Sequence, residues 1–122
     1  MSAADIHFER IQDSLVLASD AARRLSRMLG SGVPFIPALT QARSVLQNGL
    51  NTAASAAEDL GVELGDQRWV GPVALLHNAA TKVRECTGYE ASMVAALTDM
   101  LRVRVAKLRN ARSSEVPTIR IN

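Results

Sequence analysis

Three kinds of residue in this sequence could do chemistry: two histidines, one cysteine and an unusual excess of arginine. His77 sits in the run Leu76-His77-Asn78-Ala79-Ala80, a helical context in which an imidazole can carry a phosphoryl group, but the lysine–glycine pair that accompanies such a histidine is replaced here by alanines. His7 belongs to a different segment, and neither histidine has a second histidine or cysteine at helical spacing, so no metal set is expected. Cys86 is the sole cysteine, which rules out an internal disulfide and reads as a small buried apolar residue. No nucleophile, base and acid group together, and Gly30 and Gly32 precede a proline-containing break rather than a helix start, so they make no phosphate cradle. The expectation is a chain with no catalytic residue, no metal and no cofactor.

Arginine is the more informative feature. All but Lys82 and Lys107 of the 14 basic residues are arginine, although the formal net charge is only +2. Guanidinium groups make flat, forked contacts that suit phosphate and carboxylate, while a GC-rich coding sequence would produce the same bias. The charge is sorted into blocks. Arg23, Arg24, Arg27 and Arg43 lie in a stretch without acids, Glu58, Asp59, Glu63 and Asp66 crowd together, and Arg102, Arg104, Lys107, Arg109 and Arg112 follow one another without an acid between them. On a helix Arg102 and Arg109 share a face one heptad apart with Arg112 near them, and Arg104 with Lys107 makes a second ridge. A phosphate backbone lying along such ridges would be neutralised contact by contact, with salt-dependent and sequence-blind affinity. Ordinary solvated charge is the other reading. Tyr89 and Trp69 are the only large aromatics that could stack bases, too few for a single-strand platform.

These residues must be positioned by helices. Phe8, Ile11, Leu15, Ala18, Ala22, Leu25 and Leu29 alternate at three- and four-residue steps, which predicts a helix from about Ala4 to Leu29 with acids early and arginines late. Gly30, Ser31, Gly32 and Pro34 break it, and Pro37 starts a second helix whose small-sided stripe is Leu39, Ala42, Leu46, Gly49, Ala53, Ala57 and Leu60, with Gly61 as its stop. Gly49, Ala53 and Ala57 allow a close neighbour, from this chain or another. Val62 to Arg68 reads as a loop or a frayed turn, and Gly71-Pro72 as the start of a third helix carrying Val73, Leu76, Ala80 and Val83. Thr87 and Glu90 match a capping box, so a fourth helix begins there, unless Gly88 is a kink in one long helix. Met93, Val94, Leu97, Met100, Leu101, Val105 and Leu108 form a wide apolar face that suits packing against several neighbours. The fold class is all-α: a single bundle of about four helices over 1–112, then a short extended or disordered tail over 113–122 whose Val116, Thr118, Ile119 and Ile121 are strand-like around Pro117. No apolar run approaches the roughly 20 residues needed to span a bilayer. The start lacks a signal peptide's basic end and apolar block, so the expected location is the cytoplasm, with no membrane partner.

Two resemblances follow. Trp69-Val70-Gly71, between two helices, resembles the tryptophan-x-glycine turn of the small secreted helical hairpins of the ESAT type. The chain departs from that pattern in its additional amino-terminal helix and at Met93, four residues after Tyr89, where the export signal has an acid. An all-helical chain of this length with arginine ridges also resembles, over roughly residues 4 to 112 and in architecture alone, the small helical subunits of multi-subunit CRISPR effector complexes. That likeness implies a non-enzymatic structural subunit that packs beside other protein subunits. It would contact a nucleic-acid backbone through Arg23, Arg24, Arg27, Arg102, Arg104, Lys107, Arg109 and Arg112. The alternative is a bacteriophage or secretion-related helical protein that assembles with copies of itself.

Overall fold

The computed structural model describes residues 2–32 and 36–120. They form four α-helices, α1 (Ala3–Gly30), α2 (Ile36–Leu64), α3 (Val70–Lys82) and α4 (Gly88–Arg120), with single 3-10 turns at Gln67–Trp69 and Val83–Glu85. No strand occurs among the described residues.

Each boundary has a local cause. At the start of α1 the Asp5 N–H donates to Ser2 Oγ (3.2 Å) and the Ser2 N–H donates to Asp5 Oδ2 (3.3 Å), a reciprocal cap that satisfies donors the first turn leaves unpaired. The stop expected at Gly61 is displaced: α2 runs on to Leu64 and ends at Gly65, whose φ of +61° is the left-handed conformation that glycine tolerates best. The Asp66 N–H donates to Gly61 O (3.0 Å) and the Gly65 N–H to Val62 O (3.2 Å), the paired bonds of a Schellman stop. Gly61 has a different task, because a Cβ there would lie 3.0 Å from Trp69 Cβ. The expected loop over Val62–Arg68 therefore shrinks to Gly65 and Asp66, and the Asp66 carboxylate caps the following 3-10 turn by accepting from the Arg68 N–H at 2.9 Å.

The chain between α3 and α4 is broken, not kinked. Cys86 is extended (φ −68°, ψ 141°), the Thr87 N–H donates to Glu90 Oε1 and the Glu90 N–H to Thr87 Oγ1, both at 3.1 Å. Arg43 on α2 anchors this connection by donating to Val83 O (2.5 Å) and Cys86 O (3.3 Å). The backbone of α4 remains helical to Arg120, so over 113–120 helix replaces the extended segment expected from the Ser113 tail. Adding residues to a helix that packing has already nucleated costs little, whereas starting one is expensive. Residues 121 and 122 lie outside the described residues.

The core runs along α1. Its apolar stripe from Phe8 to Leu25 is buried, and so is the small-sided stripe of α2, from Leu39 to Leu60. A Cβ on Gly49 would come within 3.2 Å of both Ala18 Cβ and Ser14 O, so the close neighbour is α1 of the same chain. Trp69, 2% exposed, closes one end of the bundle edge-on to Phe8, with ring centroids 5.7 Å apart. The order of packing matters more. α1 packs against both α2 and α4, and α3 packs against α2, but among the described residues α3 and α4 have no packing comparable to these. The wide apolar face of α4 thus meets one principal neighbour. Ala91, Ala95, Leu101 and Val105 are buried, whereas Met93, Met100 and Val103 are 55%, 52% and 56% exposed.

Candidate functional site

The arginine rows do not form one surface. Arg23 on α1 pairs with Asp99 on α4, and Ser19 joins them by donating its hydroxyl to Asp99 Oδ1 (2.9 Å). Arg102 approaches the same carboxylate at 3.9 Å. Two turns further down α4, Arg109 donates to Asp5 Oδ1 (3.2 Å) and its guanidinium lies 5.4 Å from the centre of the Phe8 ring. The Ser2 backbone and hydroxyl groups, and secondarily Arg109, hold the Asp5 carboxyl below the usual carboxylate range. Three of the eight sequence-predicted phosphate contacts, Arg23, Arg102 and Arg109, therefore face carboxylates of their own chain along the α1–α4 seam. Sequence order hid two of these pairings, because Asp99 is remote from Arg23 and Asp5 from Arg109, whereas Arg102 and Asp99 are three residues apart on α4.

The other five are distributed. Arg24 and Arg27 are exposed on the carboxyl-terminal half of α1, Arg104 and Lys107 are exposed on α4, and Arg112 is half-buried beside Trp69. Among the described residues Arg24, Arg27, Arg104 and Lys107 have no carboxylate within ion-pair distance. Arg104 and Lys107 share a shallow concavity of about 460 Å³ with Met100 and Val103.

The histidines are held apart. His7 Nε2 lies 3.3 Å from Glu63 and His77 Nε2 3.8 Å from Glu58, so each crosses to a carboxylate on α2. His77 and Glu58 border an open groove of about 680 Å³ floored by Trp69, Val70 and Val73. Among the described residues no three histidine, cysteine or acidic side chains gather into a metal site. Cys86 is buried, its sulfur 3.5 Å from an Arg43 nitrogen.

One feature escaped the sequence reading. Between the carboxyl-terminal end of α3 and the first turns of α4 runs a groove of about 340 Å³, walled by Ala79 and Val83 on one side and Met93, Val94 and Leu97 on the other, with Lys82 and Glu90 at its rim. The α4 face that continues it is the wide apolar face expected above to pack against several neighbours. Its breadth was the available signal, but periodicity does not say whether a neighbour belongs to the same chain. Among the described residues no helix is long and apolar enough to cross a membrane. Compared with protein-family models, curated proteins and solved structures, the chain matches none.

Proposed function

We propose that this protein is a non-enzymatic helical subunit, working in the cytoplasm, that assembles with other protein through the open side of α3 and α4. The observation that carries the reading is the exposed apolar side of α4: Met93, Met100 and Val103 are each more than half exposed, and Met93 also lines the groove between α3 and α4. A contiguous apolar row along a helix is costly in water and is the form in which helices recognise other helices. The sequence supplies a convenient probe, since its only lysines, Lys82 and Lys107, both border this side. Amine cross-linking in the cells that make the protein should join it to another polypeptide through Lys82 or Lys107, and Met93→Glu with Met100→Glu should abolish those products. Cross-links that persist in the folded double variant would refute the reading.

A second reading, contact with a nucleic-acid backbone as in the CRISPR-type subunits, draws support from Arg24, Arg27, Arg104 and Lys107, which lack carboxylate partners. It predicts a high 260/280 absorbance ratio on purification that falls in high salt. A protein free of nucleic acid at low salt would dismiss it.

A further inference from the structure

We infer that the occupant of the exposed α4 face is α4 of a second copy of this chain, packed antiparallel. The inference rests on the assembly reading above and gives it a partner and a register. Glu90, Met93, Leu97, Met100, Arg104 and Lys107 follow at steps of 3, 4, 3, 4 and 3, the repeat of a helix-pairing seam. Five of the six are exposed and Leu97 is half-buried, so the seam is separate from the α1-facing stripe of Ala91, Ala95, Leu101 and Val105.

The seam has an acid at one end, apolar residues in the middle and two bases at the other. A twofold axis between Leu97 and Met100 sets Glu90 against Lys107 of the other copy, Met93 against the stem of Arg104, and Leu97 against Met100, each contact made twice as an isologous interface requires. A parallel pairing would stack Glu90 on Glu90 and Arg104 on Arg104, so charge selects the antiparallel arrangement. Glu90 can serve both purposes. Its Oε1 caps α4 at the Thr87 N–H, which leaves Oε2 for the second copy. Arg104 and Lys107 have no carboxylate partner within the chain among the described residues, so pairing breaks no existing ion pair. Ala79 on α3 and Val83 in the 3-10 turn after it give the incoming helix a second apolar wall. Lys82 stands on the same rim, and its long stem lets the ammonium turn toward solvent.

A seam of about 26 Å, 17 residues at 1.5 Å each, is shorter than a standard interface needs, so the dimer should be weak, with a dissociation constant on the order of 1–100 μM. The same length makes the register testable. Glu90 and Lys107 of one chain are about 26 Å apart along a continuous helix, too far for a zero-length link, whereas across the proposed axis they touch. Purified full-length protein should sediment as a concentration-dependent dimer. Carbodiimide should then yield a dimeric band containing a Glu90–Lys107 cross-linked peptide. Arg104→Glu with Lys107→Glu, both at exposed positions, should weaken association at least tenfold while circular dichroism stays unchanged, and adding Glu90→Lys should restore it. A monomer at every concentration up to 1 mM overturns the second copy as occupant. If cross-links to other polypeptides that depend on Met93 and Met100 are still found, the assembly reading survives that loss. A dimer indifferent to the charge reversal and lacking the Glu90–Lys107 product overturns the register.

Discussion

Leu15 and Leu97 occupy equivalent-looking places in their apolar repeats, and the structure predicts that truncating them costs very different amounts. Leu15 is fully buried at the centre of α1, the helix on which both α2 and α4 pack. Leu15→Ala removes three carbons from a filled site whose walls are two other helices, so a transfer loss and a cavity loss add, about 3–5 kcal/mol together. Leu97 is half-buried and its side chain lines the α3–α4 groove, which is open to water. Truncation there leaves no closed cavity and forfeits only part of the transfer term, about 1 kcal/mol. A domain of this size has a total stability of roughly 6–18 kcal/mol, so the first change is a large fraction and the second is not. Urea denaturation followed by circular dichroism measures both, and a midpoint shift at constant slope reports the loss cleanly. The measurement belongs at low protein concentration, because any association through the α4 face would add a concentration-dependent stabilisation that Leu97→Ala also removes. Equal losses at the two positions, or a loss below about 1 kcal/mol at Leu15, would refute the assignment of α1 as the central helix.

Gly65→Ala should destabilise the protein by about 1 kcal/mol, because the φ of +61° that ends α2 places a Cβ against the following carbonyl, and thermal unfolding reads it directly. Asp5 has a folded-state pKa below its ordinary value of 3.8, so its contribution is present above that value and is lost as pH falls through the lower folded-state value. Asp5→Asn should therefore lower stability at neutral pH and flatten the acid limb of the stability profile below about pH 4, which acid titration of the melting curve checks. If the purified protein does bind nucleic acid, Arg24→Gln, Arg27→Gln, Arg104→Gln and Lys107→Gln should each reduce the slope of log affinity against log salt by roughly 0.7–0.9. Arg109→Gln should show up as lost stability instead, since its guanidinium spans Asp5 and the Phe8 ring.

What the sequence made legible was whatever depends on near neighbours along the chain. The stripes of α1 and α2, the proline in the first turn of α2 and the Thr87–Glu90 cap are all short-range patterns, and the structure places them where spacing does. The stop of α2 was misplaced for a physical reason. Gly61 and Gly65 are both glycines near a helix end, but one makes room for Trp69 and the other supplies a left-handed φ, and only tertiary contacts separate those tasks. The candidate site failed to read through in the same way. Arg23 and Arg102 converge on one carboxylate although they are remote in sequence, because α1 and α4 run side by side in opposite directions. A row of arginines therefore had two meanings, a phosphate-binding ridge or half of an intramolecular seam, and helical periodicity is identical for both. The breadth of the α4 apolar face had the same ambiguity. Its buried half is answered by α1, and its exposed half, carrying an acid at one end and bases at the other, has a charge order that a second copy in reverse direction would complement.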